Sequence, residues 1–331
     1  MDRITVENLK VQYTVDDGKV HAVDDVSFTI GSNEIVGLLG ESGSGKSTLS
    51  KSIVRDLPEN GDIISGNIEY NGMNIAELSH EEFRTLRWED IAYVPQNAMN
   101  CLDPVYTIQD QLTETIDAHR DVPKKEKVEK AKQVFEMVGI DTDRLKDYPH
   151  EMSGGMKQRI IIALAFILDP ELIIADEPTT GLDVLLRDKI LADIEEYREA
   201  YDVSILIVSH DMADLVETCD SLMVMYGGKI VEKAPSRQLV EQPTHPYTMG
   251  LLNSAPTINT EFSDLISMSM NPPDLLSPAD GCRFIERCPF EIGECSQAHP
   301  ESIELNGSTS ACYRATEHKQ LQAEVPEQNW R

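Results

Sequence analysis

The sequence predicts an α/β fold: a parallel sheet buried on both faces, an antiparallel β part ahead of it, a helical insert within it and a small extension behind it. Three observations carry this reading. Apolar runs at Ile35–Leu39, Leu172–Ala175 and Ser204–Ser209 are continuous rather than alternating, the pattern of strands covered on both faces. Each run is followed at once by residues suited to chemistry, as expected where ligands sit beyond the carboxyl ends of parallel strands. A chain of 331 residues is also long enough to hold more than one structural unit.

Taken in order, the N-terminal segments alternate with period two, as at Val26, Phe28 and Ile30, and Asn71-Gly72 after Ile68 and Tyr70 is a hairpin turn signal. The run Ile35–Leu39 leads into Gly40, Glu41, Ser42, Gly43, Ser44, Gly45, Lys46 and Ser47 (GESGSGKS), then Thr48, Leu49 and Ile53, which reads as strand, loop, helix. This is the P-loop pattern, so the core is predicted to be a P-loop NTPase. Its glycines let successive backbone N–H groups curl around an anion, and the new helix adds its positive N-terminal end. In that role Lys46 reaches the β- and γ-phosphates of a nucleotide and Ser47 ligates Mg²⁺.

The strand-like segment Ile91–Pro95 closes on Gln96, a neutral amide able to touch both Mg²⁺ and the attacking water. A helical insert is expected over residues 97–160, where Val128, Ala131, Phe135 and Val138 recur at helical spacing in a charged background. Within it, Met152-Ser153-Gly154-Gly155-Met156-Lys157-Gln158-Arg159 opens a helix, and Ser153, Gly154 and Gly155 offer a second phosphate cradle. Behind the next apolar run, Asp176 suits a Mg²⁺ shell and Glu177 suits a base that orients and deprotonates water. Taken alone the pair also reads as a solvated acidic turn before Pro178. Asp183 lies on the following turn, His210 follows Ser204–Ser209 in reach of a γ-phosphate, and Tyr13 could stack on an adenine face. A lone His after a strand is more often structural and a lone Tyr more often packing. Their order carries the argument.

That order resembles the nucleotide-binding domain of ABC transporters over residues 1–235. By this resemblance Tyr13 matches the adenine-stacking aromatic, Gly40–Thr48 the Walker A loop, and Gln96 the Q-loop glutamine. Ser153–Met156 matches the signature, Asp176 and Glu177 the Walker B pair, Asp183 the D-loop aspartate and His210 the switch histidine. One departure is visible: the usual signature is Leu-Ser-Gly-Gly-Gln, and here Met152 and Met156 stand at its ends. Ser153, Gly154 and Gly155 remain, so activity is expected to survive. The resemblance implies a head-to-tail pair with ATP and Mg²⁺ clamped between one chain's P-loop and the other's signature, closing on ATP and opening after hydrolysis. It also implies that the helical insert touches membrane subunits.

Residues 236–331 sharpen the resemblance. Thr244-His245-Pro246-Tyr247-Thr248, the stretch from Asn271 to Gly281, and Cys282, Cys288, Cys295 and Cys312 are similar to the C-terminal extension of dipeptide/oligopeptide/nickel ABC importers. The form SGGMKQR is similar to one of the two ATPase subunits that such importers pair. The implied protein is an ATP-hydrolysing subunit powering import of di- or oligopeptides, with a sugar or nickel importer as the alternative and a soluble non-transport ABC ATPase behind it. Its implied partners are a second ATPase subunit (paralogue or self), two transmembrane permease subunits and, through them, an extracellular solute-binding protein, and its place is the cytoplasmic face of the membrane.

The four tail cysteines, with five, six and sixteen intervening residues, lack the Cys-x-x-Cys knuckles of most zinc sites. A cytosolic chain argues against disulfides. Four thiolates are the usual complement of a 4Fe-4S cluster, and Cys288-Pro289 echoes ferredoxin motifs. The resemblance points the same way. Zinc with His299 or His318 as replacement ligands, and free thiols, are the alternatives, while Cys101 and Cys219 read as ordinary residues.

No signal peptide precedes Asp2-Arg3, and the longest apolar run, Ile160–Leu168, falls well short of the roughly 20 residues that span a bilayer. The net charge of -29 exceeds anything an anion-binding site needs. In molar salt the Debye length is about 3 Å and such a field is screened. The charge therefore reads as adaptation to a salty cytoplasm, as in haloarchaea. Long heptad arms of chromosome-maintenance ATPases find no room between Ser47 and Ser153, and the two cassettes of translation-type relatives are not present. No nucleic-acid surface is predicted, because Lys124, Lys125 and Lys127 lie among Glu126 and Glu129. A catalytically dead subunit is argued against by the presence of both Glu177 and His210.

Overall fold

The structure, a computed structural model, describes residues 2–96, 101–254 and 272–325. Asn271 and residues 97–100 of the expected insert lie outside the described residues. In chain order the elements begin with β1 (Asp2–Val15), β2 (Gly18–Gly31), β3 (Ile35–Leu39), α1 (Lys46–Ile53), β4 (Gly61–Tyr70), β5 (Met73–Asn74), α2 (His80–Leu86) and β6 (Ile91–Val94). There follow α3 (Ile108–Asp117), α4 (Lys124–Met137), α5 (Gly154–Phe166), β7 (Leu172–Asp176), α6 (Val184–Tyr201), β8 (Ser204–Ser209), α7 (Met212–Thr218), β9 (Ser221–Tyr226) and β10 (Lys229–Pro235). The chain closes with α8 (Ser236–Glu241), α9 (Pro246–Ser254), β11 (Ile303–Leu305), β12 (Ser308–Ser310) and α10 (His318–Glu324). These divide into two compact units.

One unit comprises residues 5–28, 36–68 and 210–331. In it β3 runs parallel to β9, Val36 facing Ser221 and Leu39 facing Val224. The turn Gly227-Gly228, with φ of +55° and +83°, folds β9 back onto β10, and β10 pairs in turn with β12. Every residue of β3 is buried, which is why its sequence shows no alternation. Val26 and Phe28 of β2 are buried and Ser27 between them is exposed, the predicted period of two.

The other unit comprises residues 1–4, 29–35 and 69–209. Its strands β6, β7 and β8 are parallel, with Ile91 facing Leu172 and Leu172 facing Ser204. The predicted hairpin is present: Tyr70 faces Met73 across Asn71 and Gly72, at φ +48° and +80°, the left-handed pair that a two-residue turn requires. Of the expected helical face, Ala131, Phe135 and Val138 are buried together with Val134. Helix α5 buries Ile160, Ile161, Ile162, Ala163, Ala165 and Phe166 on several sides, so the longest apolar run is a core helix. Among the described residues no helix is long and apolar enough to cross a membrane.

Candidate nucleotide site

The candidate residues fall into two groups, one in each unit. In the first, Gly40–Gly45 joins β3 to α1. A Cβ at Gly40 would run into the carbonyl of Met225, and one at Gly45, whose φ is +106°, into the carbonyl of Ala22, so neither position admits a side chain. The loop is tied further by Gly228, whose N–H donates to the Ser44 carbonyl at 2.9 Å. Helix α1 starts after Gly45 with no side-chain cap and no acidic residue in its first turn, so its positive end is not offset by a local carboxylate. Lys46 is buried, its Nζ donating to the carbonyls of Gly40 (2.7 Å) and Glu41 (3.0 Å). Ser44 Oγ is buried with no partner among the described residues, while Ser42 and Gly43 are exposed. Such a cradle, with an ammonium, an uncommitted hydroxyl and helix N–H groups, fits a nucleotide polyphosphate. Tyr13 Oη donates to Thr48 Oγ1 at 3.1 Å, so the aromatic stands beside the loop's last residue. Ser47 is half-buried on the first turn of α1, and His210 follows β8 directly and is exposed.

In the second group, Asp176 ends β7 with only 1 % exposure and accepts from Tyr93 Oη at 3.3 Å. Glu177 leaves the strand in a left-handed conformation, φ +51°, and its N–H donates to the Val208 carbonyl at 2.8 Å. Its Oε2 accepts from the Gln96 amide at 2.8 Å and from Thr180 Oγ1 at 2.9 Å. The structure thus brings Gln96 and Glu177 together, as the sequence could only suggest from their order. Ser153 caps α5, accepting the Met156 N–H, and Ser153 and Gly154 are exposed while Met152 is buried. Gly155 lies where a Cβ would strike the Leu186 side chain. Gln158, buried about one turn into α5, donates to the Pro178 carbonyl at 2.7 Å and ties this helix to the turn that carries Glu177. Asp183 caps α6, accepting from the Leu186 N–H at 3.1 Å.

The expected metal centre in the tail is not formed by the described residues: no group of three or more His, Cys, Asp or Glu side chains there is arranged to hold a metal ion. None of the six cysteines is joined in a disulfide. Burial, and after it the neighbouring thiols, pushes Cys282 up to about 11 and Cys312 up to about 12, and raises Cys288 as well. Cys312 Sγ accepts the Arg314 N–H, and the Cys282 N–H donates to the Cys295 carbonyl at 2.8 Å. His299, an expected replacement ligand, is depressed to about 4 by burial and by Lys229 and Arg283 rather than set among sulfurs. His318 places Nδ1 against the Ala315 carbonyl at 3.0 Å.

Three residues had no role assigned from the sequence. Arg287 forms a two-pronged ion pair with Glu41, Tyr247 Oη accepts the Glu41 N–H, and buried Glu232 accepts from Thr244 and His245. Only Tyr247 carried any signal, as a member of the Thr244–Thr248 stretch.

The ABC transporter family profile matches residues 23–180, and the profile of the oligopeptide/dipeptide transporter C-terminal region matches residues 231–295. The chain is 38 % identical over 321 residues to a dipeptide transport ATP-binding protein, DppD, of Caldanaerobacter subterraneus subsp. tengcongensis, covering 96 % of this chain and 98 % of that protein. It is 37 % identical to the oligopeptide transport ATP-binding protein OppD of Salmonella typhimurium, covering 95 % and 94 %. In fold it is similar to MJ0796, a dimeric bacterial ABC transporter cassette, with TM-score 0.65 at 24 % identity over 71 % of this chain and 99 % of that one. It is likewise similar to cbiO1 of Clostridium perfringens, part of the ABC transporter complex cbiONQ, with TM-score 0.64 at 26 % identity over 73 % and 91 %. Fold and motif groups together define an ATP-binding cassette of the P-loop class. The chain belongs to the ABC transporter family as an ATP-binding subunit, and such subunits are ATPases coupled to transport.

Proposed function

We propose that this subunit hydrolyses ATP to power import of di- or oligopeptides. The observation that carries the reading is full-length similarity to two peptide-transport ATP-binding proteins, tail included. Residues 1–235 form the ATPase part, with its helical portion about 97–160, and residues 236–331 the extension. Bound ATP with Mg²⁺ supplies the phosphoryl group to be transferred and the charge that holds the site closed. Lys46 and the loop Gly40–Thr48 bind the phosphates, and Tyr13 takes the adenine. Ser47, Gln96 and Asp176 supply oxygens to Mg²⁺. Glu177 orients the water and takes its proton, and His210 hydrogen-bonds the γ-phosphate. The Gln96–Glu177 bond supports this assignment, because it holds the carboxylate's orientation through a neutral amide that is neither acid nor base.

Ser153, Gly154 and Gly155 serve the partner's ATP, with Asp183 alongside. The exposure of Ser153, Gly154 and Asp183 supports a head-to-tail pair, and so do Val184 and Leu185, 60 % and 83 % exposed just after Asp183. The partner is a second ATPase subunit, self or paralogue. Exposed Val105 and Tyr106 in the helical insert suit contact with two permease subunits, and an extracellular binding protein acts through these at the far side of the membrane. The chain works at the cytoplasmic face, bound through partners.

Glu177→Gln is the deciding variant. It should lower phosphate release by about 10²–10⁴-fold while still binding ATP, and should shift the chain to a dimer on gel filtration with Mg-ATP. Unchanged hydrolysis would remove Glu177 from the chemistry. We also propose a 4Fe-4S cluster on Cys282, Cys288, Cys295 and Cys312, supported by cysteine number and family likeness. Anaerobically purified protein should be brown with four irons per chain, and a colourless preparation with or without zinc ends this proposal. Adaptation to a salty, haloarchaeal type of cytoplasm is proposed from the net charge of -29.

A further inference from the structure

Glu41, second residue of the P-loop, brings a negative charge into a loop built to hold anions. The tail meets that charge directly. Arg287 Nη1 donates to Glu41 Oε2 at 2.8 Å and Nη2 to Oε1 at 2.9 Å, the parallel fork of a strong guanidinium–carboxylate pair. The Arg287 side chain is 3 % exposed and that of Glu41 28 %, so the pair is shielded on the arginine side. Arg287 is held over the rings of Tyr226 and Phe284, at 5.6 and 5.9 Å to their centroids, and Nη1 also reaches Tyr226 Oη at 3.3 Å. The Glu41 N–H donates to Tyr247 Oη at 3.1 Å, and Tyr247 is fully buried against Tyr226 and Phe284. The Glu41 carbonyl in turn accepts from Lys46 Nζ at 3.0 Å.

One P-loop residue therefore has its N–H and both carboxylate oxygens held by the tail, and its carbonyl held by the phosphate-binding lysine. We propose that the C-terminal extension is a working part of the nucleotide site, in which Arg287 neutralises the charge of Glu41 beside the phosphate-binding loop while Tyr247 holds the Glu41 N–H. A tail that only docked for stability would need none of its contacts at the loop. Apolar packing of Tyr226, Tyr247 and Phe284 would serve. Placing a buried, forked guanidinium there has a specific electrostatic effect: it removes one negative charge that would otherwise face the polyphosphate. Arginine suits this better than lysine because the planar fork fixes both oxygens at once.

This inference rests on the ATPase reading, and the test separates the two. Dissociation constants for Mg-ATP and for AMP are measured on the full chain by titration calorimetry, in KCl at which circular dichroism shows the wild type folded. E41Q leaves the guanidinium unopposed, so ATP should bind about three- to fivefold tighter. R287M leaves the carboxylate unopposed, and ATP should bind about tenfold weaker, the effect expected of one nearby charge at an effective dielectric near 20. The double variant, with neither charge, should return to within about threefold of wild type, and AMP affinity should move less than twofold throughout. A purely structural clamp predicts otherwise: both single variants weaken ATP, and the double variant is no better than R287M. That pattern, or ATP affinity unmoved by E41Q, overturns the proposal. If R287M does not fold, the sign of the E41Q effect decides alone. A wild type that binds no ATP sinks the ATPase reading and this inference together, whereas normal ATP binding with an inert E41Q sinks only this one.

Discussion

At the scale of single residues, Glu177 is a candidate site residue at which the chain accepts local strain. Its φ of +51° lies in the left-handed region, which costs a side chain with a Cβ of the order of 1–2 kcal/mol. The turn is held by the Glu177 N–H on Val208 and by Gln96 and Thr180 on the carboxylate. Glu177→Gly should therefore abolish hydrolysis without destabilising the unit, and its urea midpoint should stay equal to wild type or rise. A loss of more than about 1 kcal/mol would mean that the two side-chain bonds outweigh the backbone cost. Ser153 tests the opposite case, where one residue serves both local structure and the proposed site. Ser153→Ala removes the α5 cap and should lower stability by about 1 kcal/mol. Hydrolysis by the assembled pair should fall far more than that loss explains, and a matching small decrease in both would reduce Ser153 to a cap.

At the scale of elements, the segment from β10 to α9 is organised by a buried carboxylate. Glu232 is 1 % exposed on β10 and accepts the Thr244 N–H and hydroxyl at 2.7 Å each and the His245 N–H at 3.0 Å. Burial raises its pKa, with the Thr248 and Thr244 hydroxyls and the two N–H groups opposing. His245, fully buried, is depressed to about 3, chiefly by burial and then by His299, and its Nδ1 accepts the Tyr247 N–H at 3.0 Å, which a protonated ring could not do. A histidine lowered in the folded state contributes stability that is complete above its unfolded value near 6.5 and lost as pH falls toward its folded value. His299, lowered to about 4, acts in the same direction. Each gives up to about 1.4 kcal/mol per pH unit in that window, while a raised Glu232 works the other way above about 4.5 and offsets part of it. The urea midpoint, read from tyrosine absorbance near Tyr226 and Tyr247, should fall between pH 6.5 and 5, and His245→Asn should flatten the fall. A flat wild-type profile would show that neither ring must stay neutral for folding. The sequence made this segment visible as Thr244–Thr248, yet not its purpose, because Glu232 is twelve positions from Thr244 and nothing in spacing links them. Strands β3, β7 and β8 were legible because burial on both faces leaves unbroken apolar runs. The Gln96–Glu177 bond could be guessed from motif order alone. Arg287 could not be connected to Glu41, since a contact across 246 positions is set by tertiary packing.

At the scale of the whole molecule the controlling quantity is charge. With 58 acidic and 29 basic residues, pairing every Lys and Arg once would still leave 58 − 29 = 29 carboxylates without a basic partner. At 0.1 M salt the Debye length of about 10 Å lets neighbouring surface carboxylates repel one another, and at 1 M it shrinks to about 3 Å, so the self-repulsion that opposes the compact state is removed by salt. The forked Arg287–Glu41 pair is largely buried and is much less affected, which separates the behaviour of the surface from that of the loop. The melting temperature should therefore climb as KCl is raised from 0.1 to 2 M. NaCl should raise it similarly if screening is the cause. The association rate of ATP, a polyanion approaching a polyanion, should also increase with salt, while its dissociation rate changes little. Replacing a set of exposed aspartates and glutamates on α4 and α6 by lysine should lower the KCl needed for folding without altering the affinity for Mg-ATP measured in 2 M KCl. A wild-type chain that is fully folded and hydrolytically active in 50 mM KCl would show that the unpaired carboxylates are far enough apart to be tolerated without screening.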